Sequence, residues 1–208
     1  MNFKILNDFQ VYGLATSMKA SGNPMRTTLA NLSNVTTPND ISRARKLANT
    51  KSGEGHDNFL KGIIVQFNVV APLYWWKQAQ RYHWFDFISS QSTMHCLLKF
   101  DIKEQCTEDV DERVINIMEE LVANYNNCIY VWENSNKELT LEKFKKNLWR
   151  KIIATLPCGF CLGATMTTNY QQLKTMYHQR RNHKLEEWHT FCDWVERLPN
   201  SELITGVK

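Results

Sequence analysis

Four groups of residues in this sequence carry side chains able to do chemistry. His83 and Asp86 stand three apart, close enough on a helix to touch. With His95 nearby they read as an acid–base pair or as satisfied polar residues at a rim. Cys158-Gly159-Phe160-Cys161 has the C-x-x-C spacing of a redox couple or of half a zinc site, with His189 and Cys192, or His178 and His183, as completing ligands on paper. A redox pair of the thioredoxin kind follows a strand and opens a helix. This one follows Pro157 at a helix end and has no second pair, so incidental thiols are expected and no metal is assigned. Arg180-Arg181-Asn182-His183-Lys184 and the basic residues of 143–151 offer a cationic surface. Glu138, Glu142, Glu186 and Glu187 dilute it, so a nucleic-acid partner is not expected. Finally, Tyr74, Trp75, Trp76, Tyr82, Trp84 and Phe85 crowd into a dozen residues, either as a stacking wall for a ring or as core packing. Trp75 and Trp76, being adjacent, cannot share one helix face.

These side chains need elements to position them. Residues 62–70 are β-branched and alternate: Ile63, Val65, Phe67 and Val69 face one way, Ile64, Gln66 and Asn68 the other, which predicts a strand ended by Ala71-Pro72. Pro72 then starts a helix from Leu73 to about Tyr82. Val110, Val114, Ile117, Met118, Leu121 and Val122 predict an amphipathic helix over 109–125. A second runs over 140–155, with Leu141, Phe144, Leu148, Ile152 and Thr155 inward, a weak cap at Thr140 and a stop at Pro157. Helical patterns fill 170–179 and 183–197, and Leu198-Pro199-Asn200 closes the fold. The first third is polar. Ser21-Gly22-Asn23-Pro24 is a turn cluster, 31–40 reads as a loop, Asp40 caps a short helix to about Asn49, and Gly53-Glu54-Gly55 breaks it.

The bulk properties agree with one α+β domain over 1–208, helix-rich, with a variable region at 1–50. The formal charge of +4 is a mild excess that suits anionic ligands without demanding nucleic acid. No apolar run approaches the about 18 residues of a membrane span, and Met1-Asn2-Phe3-Lys4 opens no signal peptide. The six cysteines are expected to be reduced thiols in a cytoplasmic protein.

Two segments resemble the flavin-dependent thymidylate synthases, the ThyX type. The first runs from Gly55-His56-Asp57 through the strand to Ala71-Pro72, then Gln78 and Arg81; the second is Leu156-Pro157, then Thr168-Asn169, Leu173 and Arg180. Further stretches (Ala71 to Trp76, Ser92-Thr93-Met94-His95 and Gln179 to Trp188) resemble a divergent branch of that family found in bacteriophage genomes. The resemblance implies a twisted antiparallel sheet flanked by helices, assembling as a homotetramer with pockets between subunits. It implies FAD, NADPH and methylenetetrahydrofolate as cofactors, in the reductive methylation of dUMP or a related pyrimidine deoxynucleotide. By position, Gln78, Arg81 and Arg180 match substrate-binding residues, and Asn169, Arg81 and His83 match cofactor-binding ones; no catalytic side chain is assigned. Their chemistry fits, since an arginine fork pairs with phosphate or a uracil edge, and amides read amide edges.

The chain also departs from the family pattern. Its Arg-His-Arg signature stands here as Arg81-Tyr82-His83, followed by Asp86, Ile88 and Ser89 where Ser, Asn and Glu are usual. The closing Ser and Arg fall at Gln91 and Thr93, or at Ser92 and Met94 with a one-residue slip; a helix histidine before the strand is Gly62, and an arginine after Asn169 is Gln171. Each lost charge-assisted bond is worth roughly 1.5–3 kcal/mol. An alternative therefore stands beside the enzyme: a lapsed scaffold that binds a nucleotide or, if phage-encoded, a host protein in the host cytoplasm.

Overall fold

Strict alternation along one strand organises the sheet. In the computed structural model, which describes residues 2–6, 9–29, 35–51 and 54–206, Val65, Phe67, Val69 and Ala71 are buried while Ile64, Gln66, Asn68 and Val70 are half-buried. The strands in chain order are β1 (Lys4–Ile5), β2 (Gln10–Tyr12), β3 (Ile64–Pro72), β4 (Phe85–Ser90) and β5 (Cys161–Asn169). The helices are α1 (Leu14–Ala20), α2 (Pro38–Ala48), α3 (Leu73–Ala79), α4 (Thr93–Cys96), α5 (Ile102–Gln105) and α6 (Glu112–Asn126). They continue with α7 (Cys128–Glu133), α8 (Leu141–Thr155), α9 (Tyr170–Arg180), α10 (Glu186–Glu196) and α11 (Glu202–Thr205). The fold is α+β, an antiparallel sheet flanked by helices. Its order is β1-β3-β5-β4, and β2 also pairs with β3, Val11 opposite Val65.

The chain divides into two compact units. The first comprises Met1–Phe3, Val70–Lys77 and Ser90–Gly163; the second comprises Lys4–Val69, Gln78–Ser89 and Ala164–Lys208. The first is built on α6 and α8, whose facing side chains Ile115, Met118, Leu121 and Ile152 close over Phe160, Leu97 and Ile102. The α8 face is the expected one, and Thr140 accepts from the Lys143 N–H at 3.4 Å as its cap. On α6 the expected face is corrected. Ile117 is half exposed and Ile115 takes the core position, because residues two apart on a helix diverge by about 200°. Trp75 and Trp76 are both buried in this unit, edge to face at 5.0 Å, which is the packing outcome for that pair.

In the second unit the inner face of β3 meets α10 through aromatic rings. Phe67 stacks on Trp194 at 4.4 Å and lies 5.9 Å from Phe85; Phe191 sits 5.5 Å from Trp188 and 5.6 Å from Trp194. β5 is polar in sequence yet alternates Ala164, Met166 and Thr168 inward. Its hydroxyls find partners, Thr165 donating to Asn68 Oδ1 and Thr168 to the Trp84 carbonyl, each at 2.6 Å. α3 stops at Ala79, three residues short of its expected end. α11 follows Asn200, where the chain was expected to close.

α2 spans its expected residues, but Asp40 is not its N-cap. Thr37 is, with Asp40 at the third helical position completing a reciprocal capping box. Of the other expectations in this region, the loop at 31–34 and the break at Gly53 lie outside the described residues. Asp40 also pairs with Arg43 at 2.6 Å. The Thr37 backbone N–H, then Arg43, hold its carboxyl far below the usual carboxylate range. A carboxyl depressed in the folded state binds its proton more readily when unfolded, so its stabilisation is complete above the unfolded pKa, about 3.9, and is lost as pH falls further. In acid-unfolding titrations, Asp40→Asn is expected to remove this part of the pH dependence and, at neutral pH, to cost about 1–2 kcal/mol through the weakened cap and pair. Ile152→Ala, at a fully buried site, is expected to lower stability by about 2–4 kcal/mol in denaturant melts.

Candidate functional site

β5 ends at Asn169 and the chain turns at once into α9. The Asn169 side-chain oxygen accepts from the Gln172 N–H at 2.9 Å, and the Tyr170 N–H donates to the Ile63 carbonyl at 3.0 Å. This corner holds α9 along a cleft of about 620 Å³ in the second unit. Amide side chains dominate its wall: Asn58, Asn169, Gln171, Gln172 and Gln179, with Trp84 beside them. Trp84 is 59% exposed. The cleft also contains Lys174, but its charge is spent. Lys174 Nζ lies 2.8 Å from Asp57 Oδ2 and 2.6 Å from the Ala48 carbonyl, and Gln171 donates to the other Asp57 oxygen at 3.3 Å.

At the far end of α9 a second cluster forms. Arg180 Nε donates to the Tyr82 hydroxyl at 2.7 Å, and its Nη1 donates to Gln78 Oε1 at 3.0 Å. The guanidinium lies over the Trp188 ring at 4.6 Å and near that of Tyr82 at 5.4 Å. The Trp188 indole N–H also donates to Gln78 Oε1, at 3.0 Å. The Tyr82 hydroxyl in turn donates to Gln179 Oε1 at 3.0 Å, which ties this cluster to the cleft. His183 borders the cluster, 6.4 Å from Trp188, and burial first, then Arg180, holds its imidazole below the ordinary range.

The expected site residues thus meet only in part. Gln78 and Arg180 are bonded to each other, and Asn169 lines the cleft. Arg81 is exposed in the turn after α3, and its side chain has no hydrogen bond or ion pair among the described residues. His83 is exposed beside Trp84, rings 5.9 Å apart. The helical His83–Asp86 pair is corrected: α3 has already ended, His83 sits in a turn and Asp86 on β4. His95 lies in the first unit. Trp188 is the candidate that residue chemistry alone did not single out, because a tryptophan reads first as packing; Tyr82, one of the crowded aromatics weighed as a stacking wall or as packing, meets Arg180 through its hydroxyl. Their signal was the matched spacing around Arg81 and Arg180.

No cysteine is among the residues that line the cleft. Cys158 is exposed and Cys161 buried, and all six thiols are free. Burial pushes Cys192 up to about 11 and raises Cys106, which keeps both protonated and unreactive. Of the zinc partners considered, His189 Nε2 is bound to the His183 carbonyl and Cys192 points at the Tyr177 carbonyl. No three His, Cys, Asp or Glu side chains converge on a metal position among the described residues.

Gly62, where the family pattern has histidine, is filled from the other side. A Cβ there would sit 2.5 Å from Ser17 Oγ of α1, and Gly13, at φ 74°, closes on the Gly62 carbonyl in the same contact. The Ser17 hydroxyl of α1 therefore stands where the first atom of a side chain at 62 would come.

No protein-family model and no curated protein matches this sequence. Solved structures do. A crystal structure of the flavin-dependent thymidylate synthase ThyX from Helicobacter pylori, complexed with FAD and dUMP, superposes with a TM-score of 0.64 at 13% identity, covering 99% of this chain and 97% of that one. A second structure of Helicobacter pylori ThyX, also with FAD and dUMP, gives 0.63 at 12% identity over the same shares. The chain has the ThyX fold. In the ThyX-like frame, no helix among the described residues is long and apolar enough to cross a membrane. Gly62→Ala is expected to cost about 1–3 kcal/mol through the forced contact with Ser17. Most of that loss should return in the Ser17→Ala background, a coupling that paired thermal melts of the four variants would measure.

Proposed function

We propose that this chain is a divergent flavin-dependent thymidylate synthase-like protein. It binds a pyrimidine deoxynucleotide through Gln78, Arg81 and Arg180, with FAD against Asn169, Arg81 and His83. Its reaction is the reductive methylation of dUMP or a related nucleotide, drawing on NADPH and methylenetetrahydrofolate. The observation that carries this reading is the bonded pair Gln78–Arg180, joined through Tyr82 and Gln179 to an amide-lined cleft that Asn169 borders. It rests also on a fold whose solved relatives hold FAD and dUMP.

The donor set fits a flavin ring. Asn169, Gln171, Gln172 and Gln179 offer donors and acceptors to an imide edge, and Trp84 offers a stacking face. When bound, FAD supplies the hydride and one-carbon transfer chemistry, so the chain needs no nucleophilic side chain. Its residues bind and orient. Lys174 is neutralised by Asp57, which leaves the exposed guanidinium of Arg81 as the cation for a phosphate. Exposed Trp84, Phe87 and Ile88, on and beside edge strand β4, suit burial in a homotetramer, the assembly in which such pockets lie between subunits.

A second reading has its own support: a scaffold without methylation, kept for nucleotide binding or for engaging a host protein, as in a phage. The filled space at Gly62 and the partial commitment of Arg180 to Tyr82, Gln78 and Trp188 favour it. The visible spectrum of the purified protein, taken before and after FAD and dUMP are added, separates the two. A bound yellow chromophore perturbed by dUMP is expected under the first reading, and Arg81→Ala should then weaken dUMP binding roughly 10- to 100-fold. A colourless protein indifferent to FAD would retire the methylation reading.

A further inference from the structure

Gln78 is bonded in a way that removes half of its chemistry. A free glutamine amide can rotate to present either its oxygen, an acceptor, or its NH₂, a donor. Here both neighbours are obligate donors. Arg180 Nη1 and Trp188 Nε1 each lie 3.0 Å from Gln78 Oε1, and neither an arginine nor an indole nitrogen can accept. Turning the amide over would set NH₂ against two N–H groups and lose both bonds. Its orientation is therefore fixed by the identity of the partners, not by a choice between two similar atoms. Trp188 is fully buried and held among Phe191, Tyr82 and the Arg180 guanidinium, so its N–H cannot swing away. Gln78 itself is only half-buried.

We infer that Trp188, with Arg180, is a positioning residue that locks Gln78 as a donor-only contact, so that the site accepts a ligand edge bearing a carbonyl oxygen and rejects one bearing an amino group at the same place. The remaining N–H groups of Arg180 add to the same donor face. For pyrimidine nucleotides this favours a 4-oxo ring over a 4-amino ring, because a ligand NH₂ would meet the NH₂ of Gln78 donor to donor. Mismatches of this type are costly, since each buried donor loses its partner on binding. The inference rests on the proposed nucleotide site. The bond network itself stands apart from it.

The test has two parts. The first is the solvent exchange of the Trp188 indole proton, followed by NMR in the wild-type protein and in Gln78→Leu. Slow exchange in the wild type that becomes fast in Gln78→Leu is expected; an exchange rate unchanged by Gln78→Leu overturns the lock. The second compares dUMP with dCMP by calorimetric titration. The wild type is expected to prefer dUMP by about tenfold or more. Trp188→Phe, which keeps a ring under Arg180 but removes one of the two donors to the amide oxygen, should reduce that preference, and Gln78→Glu, an acceptor in place of the donor, should reverse its sense. Thermal melts establish that each variant is folded, and the Gln78→Glu arm carries the test if Trp188→Phe is not. An equal dUMP:dCMP ratio in the wild type and the folded variants overturns the inference. Wild-type protein that binds neither nucleotide, with the indole proton still protected through Gln78, retires the nucleotide site while the lock stands.

Discussion

The corner at Asn169 is the constraint on which the candidate site depends. One side-chain hydrogen bond, from the Gln172 N–H to Asn169 Oδ1, lets the chain pass from the last residue of a buried strand directly into a helix. With no linker between them, the start of α9 is fixed by the sheet itself. Every turn of α9 then inherits that position: Gln171 and Gln172 at the cleft's inner end, Lys174 against Asp57, Gln179 at its rim and Arg180 against Gln78. A buried asparagine, 6% exposed, is costly unless its polar atoms are used, and here the cap uses one while the cleft borders the residue. The same residue can cap a helix and border a cleft because an amide has two ends.

The electrostatics of this region are local. Lys174 is compensated by Asp57, Arg181 by Asp193 and Glu196, and Arg43 by Asp40. What remains for a ligand is a largely neutral amide surface with arginines at its margin. Such a surface selects by hydrogen-bond direction more than by charge, which is how planar heterocycles are told apart. The ring of Trp188 contributes twice: its face supports the guanidinium, and its N–H orients the amide beneath it.

Much of this was legible in the sequence where physical signals were redundant. β3 announced itself by alternation, β-branching and a terminal proline together, and α8 by a periodic apolar face. β5 and β4 were not legible as strands. β5 reads Thr-Met-Thr-Thr-Asn at its end, and its hydroxyls are paired by distant partners, Asn68 and the Trp84 carbonyl, that no local pattern reveals. β4 lies at the sheet edge with only Phe85 buried, so it has almost no inward face to repeat. On α6 the apolar residues outnumbered the positions the core could take, and periodicity alone placed Ile117 inside when Ile115 was wanted. Gln78, Arg180 and Asn169 were singled out through matched spacing to a family pattern, and the structure joins the first two by a hydrogen bond. The contacts of Tyr82 and Trp188 were not legible, because an aromatic residue that orients another side chain looks in sequence like one that only packs.

The contact between Gly62 and Ser17 couples two segments that lie far apart in the chain. A Cβ at position 62 would meet Ser17 Oγ at 2.5 Å, and Gly13, left-handed at φ 74°, sits against the Gly62 carbonyl in the same contact. A side chain at 62 therefore meets the serine hydroxyl first, and which residues one position tolerates depends on which residue stands at the other. The difference from the family pattern at 62 is thus a property of a pair of positions, not of one.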